Sequence, residues 1–165
     1  MTEIYDLSRL LPLQKALDEE IAKQHGITYE TTASRRVLAL LVELGEFANE
    51  TRCFKYWSYK GPSAKEVVLD EYADGLHFLL SLGIPLGAKE IKLAPKAYDI
   101  PLYEAVLDVY AEAVGLSKQY DLEHYHRAFA AYLGLLPLMG FGEQDAIDAY
   151  LKKLEVNHQR QEEHY

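Results

Sequence analysis

Residues 37–51 read Val-Leu-Ala-Leu-Leu-Val-Glu-Leu-Gly-Glu-Phe-Ala-Asn-Glu-Thr, and residues 67–82 read Val-Val-Leu-Asp-Glu-Tyr-Ala-Asp-Gly-Leu-His-Phe-Leu-Leu-Ser-Leu. In the first stretch Val37, Leu41, Leu44 and Phe47 recur at spacings of three and four, the period of one face of an α-helix. Each stretch also carries two acids three apart, Glu43 with Glu46 and Glu71 with Asp74. Residues three apart share a helix face, so each pair aims two carboxylates the same way. Their neighbours are apolar: Leu40, Leu41, Leu44 and Phe47 beside one pair, Val67, Val68, Leu76 and Phe78 beside the other. These acids therefore lie on or beside faces that should be packed.

Outward from these segments the pattern stays helical. Ile4, Leu7, Leu11, Gln14, Leu17 and Ile21 predict a first helix, which Gly26 closes. The second helix begins at Thr31 or Thr32, either of which can cap it, and runs to about Thr51. An irregular aromatic and basic segment, Arg52 to Pro62, follows. Ser63 with Glu66 reads as a capping box opening a third helix that continues to Leu82. Gly87 to Pro101 is a connection, with room for a short turn in Glu90–Lys96. Pro101 suits the first position of a fourth helix reaching about Lys118. Asp121 caps a fifth that ends near Pro137, and a sixth starts near Glu143 after Gly140 and Gly142. No period-two alternation, internal repeat or low-complexity segment interrupts this. The expected fold is all-α, a bundle of about six helices in a single domain, 1–165. Residues 152–165 form a polar C-terminal segment, frayed or else ordered by what it binds.

Composition bounds the function. Seventeen Lys and Arg against 26 Asp and Glu give a net charge of −9. That balance argues against nucleic acid, where affinity comes from clustered cations, and against an anionic membrane surface. The longest apolar runs fall far short of the ~20 residues of a membrane span. One cysteine, Cys53, excludes an internal disulfide framework. With no signal-like N-terminus, the expected location is cytoplasmic. The aromatic set is lopsided, with 13 Tyr, 5 Phe and 1 Trp.

A solvated face is the ordinary reading of one acidic pair. Two such pairs, both next to apolar positions and joined by a short segment, point to metal binding. Four converging carboxylates repel one another unless a cation intervenes. All-oxygen ligands favour a hard ion, Mg²⁺ with Mn²⁺ as a possible substitute. Other residues are weaker signals on their own. Trp57 and Lys60 lie in the loop, where an aromatic can stack on a base and a lysine can contact phosphate, or both are ordinary surface. Gln14 and Asp18 share a face with leucines and need polar partners. His77 follows Asp74 by three, and a satisfied core histidine is its usual role. Lys153, Asn157 and Arg160 put two cations and an amide on one side of the polar terminus. Glu123-x-x-His126 and Glu155-x-x-His158 raise a di-iron carboxylate bundle as a different class of enzyme. A non-enzymatic helical binding module is a third class.

Together these motifs resemble a known family. Glu43-x-x-Glu46 followed by Glu71-x-x-Asp74 is similar to the signature of the all-α nucleoside triphosphate pyrophosphatases, the superfamily of MazG-type enzymes. The first-helix pattern Leu13-Gln14 with Leu17-Asp18, the segment Glu50 to Trp57, Asp74-Gly-Leu-His77-Phe78 and the terminal Val156-Asn157 to Gln161 narrow this to the dimeric dUTPases. The resemblance implies Mg²⁺-dependent hydrolysis of dUTP, and of dUDP, to dUMP. It implies that Glu43, Glu46, Glu71 and Asp74 bind Mg²⁺, and that Glu43 or Glu46 activates the water. It places Gln14, Trp57 and His77 around uracil and deoxyribose. Lys153, Asn157 and Arg160 come from a C-terminal segment closing over the nucleotide. It further implies a homodimer whose site is built partly at the subunit interface. Asp18 stands where some members have Asn. The nearest alternative substrates are dCTP or the broader MazG-type range.

Overall fold

The computed structural model describes residues 3–164. Its elements are β1 (Tyr5–Asp6), α1 (Leu10–His25), α2 (Tyr29–Thr51), α3 (Lys65–Gly83), β2 (Lys92–Leu93), α4 (Leu102–Lys118), α5 (Leu122–Leu133), the single turn α6 (Leu135–Leu138) and α7 (Glu143–Glu162). The all-α expectation holds, with six long helices and one two-stranded clip. The clip corrects the first helix. Tyr5 and Asp6 pair antiparallel with Leu93 and Lys92, and the Leu7 amide donates to the Ile91 carbonyl at 2.8 Å. Leu7 is fully buried from this extended segment, so its spacing with Leu11 imitated a helical turn that is not there.

Two caps also differ from the expected ones. Thr28, not Thr31 or Thr32, caps α2, its hydroxyl accepting from the Thr31 amide. Ser63 forms no capping box, because its hydroxyl donates to the Glu50 carboxylate and its amide to the Glu50 carbonyl at 2.9 Å. That staple closes the 52–64 loop at its base. Asp121 caps α5 as expected, accepting from the His124 amide at 2.8 Å. Instead of fraying, the polar terminus continues α7 to Glu162.

The bundle is built around α3, which packs against α1, α2, α5 and α7. From Val68 to Gly83 most of its residues are buried. Tyrosines explain how it is held. Tyr72 and Tyr132 stack with ring centroids 4.4 Å apart, and each phenol donates to the other residue's backbone carbonyl, at 3.1 and 2.6 Å. Tyr125 donates to the Leu79 carbonyl at 2.8 Å, and Tyr120 donates to that of Leu82. Burying a phenol requires such a partner. Gly75 and Gly83 sit directly beneath the Tyr132 and Tyr125 rings, where a Cβ would collide. Four of the 13 tyrosines thus tie α5 and the segment before it to α3.

Candidate active site

Glu43 on α2 and Glu71 and Asp74 on α3 meet between the two helices. One carboxylate oxygen from each lies within 4.8 Å of the other two, and all three residues are half-buried. No other group of three or more acids, histidines or cysteines converges in this way among the described residues. Glu46, three residues along α2, is exposed and stands outside the group, although its charge still acts on Glu43. Burial pushes the Glu71 carboxyl up to about 7, with the charges of Asp74 and Glu43 adding to it. Burial also raises Glu43, again with Asp74 contributing. Asp74 rises through burial although Lys153 pulls the other way. Like charges held close in a partly desolvated site disfavour full ionisation. The donor set, three carboxylate oxygens of hard character, fits a hard divalent cation.

Beside this group lies a cavity of about 600 Å³, in the range of small-molecule sites. Glu43, Asp74, Asn157 and Arg160 line it, and so does a second set, Gln14, Asp18, Tyr29, His77 and Ser81. The second set is a connected network. Asp18 accepts from Gln14 Nε2 at 2.9 Å, Ser81 Oγ at 2.7 Å and the Tyr29 phenol at 3.1 Å. Gln14 Oε1 accepts from the Tyr150 phenol at 2.9 Å and lies 2.6 Å from His77 Nδ1. The Asp18 carboxylate fixes the Gln14 amide, and the amide assigns the proton to His77 Nδ1. Burial holds His77 down at about 3, so it is neutral near pH 7. Its ring stacks on Tyr150 with centroids 4.1 Å apart.

A family model described as dUTPase matches residues 6–165. The chain belongs to the dUTPase family. It is accordingly a dUTP diphosphatase, a nucleoside triphosphate pyrophosphohydrolase acting on a nucleotide, as the resemblance implied. Comparison with curated proteins gives no match.

In this dUTPase the remaining expected residues fall in three places. Asn157 and Arg160 reach the cavity because the end of α7 docks on α1. There His158 Nδ1 lies 2.7 Å from Glu20 Oε2, and Gln24 Nε2 donates to the Gln161 carbonyl at 3.0 Å. Lys153 does not line the cavity. It is buried against α3, where its Nζ lies 2.9 Å from Asp70 Oδ2 and 3.2 Å from Asp74 Oδ1. Trp57 and Lys60 stand exposed on the 52–64 loop, away from the cavity of their own chain, with the indole 62% accessible and edge-on to Phe54 and Tyr56. Arg52 braces this loop through the Lys60 carbonyl at 3.1 Å and Ser58 Oγ at 2.8 Å.

The di-iron alternative finds no support in the donor set, since His158 is occupied by Glu20 and Glu123 and Glu155 are exposed. Sequence reasoning missed Tyr29, Ser81 and Arg36. Arg36 lies 4.4 Å over the Tyr29 ring, and its charge acts on Asp18. The only signal for them was helical spacing, Arg36 lying seven after Tyr29 and Ser81 four after His77.

Proposed function

We propose that this dUTPase hydrolyses dUTP, and dUDP, to dUMP with Mg²⁺ held by Glu43, Glu71 and Asp74, Mn²⁺ being a possible substitute. The observation that carries this reading is the convergence of three carboxylates, each raised in pKa, two of which, Glu43 and Asp74, line a nucleotide-sized cavity. Bound there, the ions would neutralise charge on the phosphate chain and acidify a water. Glu43, with Glu46 exposed one turn away, would orient a water and take its proton. Arg160 and Asn157, which line the cavity, would hold the phosphates through charge-assisted hydrogen bonds. The network of Gln14, Asp18 and His77 holds the uracil and deoxyribose end. In this environment His77 serves as a neutral polar contact and does not supply positive charge.

The exposed stripes of α2 and α4 support a homodimer. Leu38 and Val42 on α2, and Tyr103 and Leu107 on α4, are large apolar side chains spaced four apart and left uncovered. The two helices pack together, with the Tyr110 phenol of α4 donating to the Leu41 carbonyl of α2 at 2.9 Å. A second copy seated there would give Trp57 and Lys60 a role toward the partner's nucleotide. The single free thiol of Cys53 agrees with work in a reducing cytoplasm.

Hydrolysis of dUTP, dUDP, dCTP, dTTP and dATP, each with and without Mg²⁺, tests the reading. A strong preference for the deoxyuridine nucleotides is expected, and equal rates on all substrates would overturn it. Glu71→Gln is expected to lower turnover at least ~100-fold, a loss on the scale of one removed transition-state charge stabiliser, while the protein stays folded by circular dichroism. Sedimentation analysis should return twice the chain mass.

A further inference from the structure

Lys153 is an ammonium only 7% exposed, inside a bundle whose other buried side chains are mostly apolar. Its Nζ is shared between two carboxylates four residues apart on α3. Asp70 Oδ2 accepts from it at 2.9 Å, and Asp74 Oδ1 lies 3.2 Å away. The two acids differ in what else they do. Asp74 belongs to the converging group with Glu43 and Glu71, whereas Asp70 does not and is about half exposed, at 47%.

A buried charge is tolerated only while it is paired, and removing its partner is costly. A divalent cation on Asp74 draws that carboxylate's charge away from Nζ. If Asp74 were the only anion beside the lysine, binding the metal would strand a buried ammonium, and the lysine would compete with the metal. Asp70 removes that conflict. We propose that Asp70 is a positioning residue for the metal site, keeping Lys153 paired so that Asp74 is free to ligate. The idea rests on the assignment of the metal to Glu43, Glu71 and Asp74. It also gives the lysine a fixed place, one turn of α7 before Asn157 and two before Arg160.

The test is calorimetric titration of Mg²⁺ into nucleotide-free protein, paired with melting curves, for the parent, Asp70→Asn, Lys153→Met, the double variant, Asp70→Glu and Glu71→Gln. Asp70→Asn should raise the Mg²⁺ dissociation constant about tenfold, the weight of one charge-assisted hydrogen bond, and Asp70→Glu should restore it. Lys153→Met should bind Mg²⁺ at least as tightly as the parent, and adding Asp70→Asn to it should change nothing further. An unchanged constant in Asp70→Asn overturns the proposal. So does an equal weakening in both backgrounds, which would make Asp70 a diffuse negative charge acting without the lysine. If Asp70→Asn does not fold, Lys153→Met decides, because weaker binding there contradicts competition. Glu71→Gln separates the two levels. Unchanged Mg²⁺ binding in that variant overturns the metal assignment and the role of Asp70 with it. Loss there with no effect of Asp70→Asn overturns the role of Asp70 alone.

Discussion

Gln14 is one amide serving three helices. Its nitrogen donates to Asp18 on α1, and its oxygen faces His77 on α3 and the Tyr150 phenol on α7. Gln14→Leu keeps the volume, strands the Tyr150 phenol and His77 Nδ1 in a buried site, and removes one of the three donors to Asp18. At ~1–3 kcal/mol for each unsatisfied group, with some relief through water, a loss of about 2–5 kcal/mol is expected in urea unfolding, together with weaker nucleotide binding. Asp18 is a carboxylate for a related reason. Three donors point at it, and a carboxamide there would turn its own NH₂ toward one of them. The helical spacing of Gln14 and Asp18 among leucines marked both as polar groups in need of partners. That spacing did not identify the partners, because Ser81, Tyr29 and Tyr150 arrive from other helices and only tertiary packing pairs them.

At the scale of the element, α3 shows why some boundaries were legible and others were not. Its end near Leu82 followed from apolar content, its start was read from a Ser63 cap that does not form, and the acidic pair on its face was read directly. The first helix was overextended because Leu7 is buried equally well from a clipped strand, and burial alone does not distinguish the two. The Ser63 cap failed because Glu50, from the preceding helix, competes for the same hydroxyl. The tight face of α3 toward α5 was invisible in the sequence, since a helical glycine there looks like a weakness. Gly75→Ala tests this reading. Helix propensity alone would favour alanine by ~1 kcal/mol, but the new methyl meets a Tyr132 ring fixed by stacking and by its bond to the Tyr72 carbonyl. Overpacking costs of ~1–3 kcal/mol should win, giving a lower melting temperature. Adding Tyr132→Phe, which deletes the nearest atom, should recover part of the loss.

Across the whole molecule, the charge of −9 contains a cluster that the protein does not hold comfortably by itself. In metal-free protein Glu71 sits near 7 against an ordinary 4.5, so the folded state binds more protons than the unfolded one between those values. Its contribution is fully present below about 4.5 and is lost as pH rises through 7. His77 acts in the opposite sense. Held near 3 against 6.5, it keeps its full contribution above 6.5 and loses it as pH falls toward 3. Thermal melts without metal should therefore fall off on the acid side through His77 and on the alkaline side through the carboxylates. The stabilisation given by Mg²⁺ should grow from pH 5 to pH 8, as the ligands lose their protons. A Mg²⁺ effect independent of pH would contradict the site.

The 52–64 loop carries the chain's single indole, held out in water by a staple at the loop's base and by the Arg52 brace. The molecule therefore has a built-in optical reporter. Excitation that avoids the 13 tyrosines reads Trp57 alone, and in the isolated chain its emission should be red and easily quenched by iodide. Association of two copies, or closure on a nucleotide, should move the emission to the blue and shield it. Dilution of the apo-protein would then report assembly without any label, and a signal unaltered by both dilution and ligand would place Trp57 outside every contact the enzyme makes.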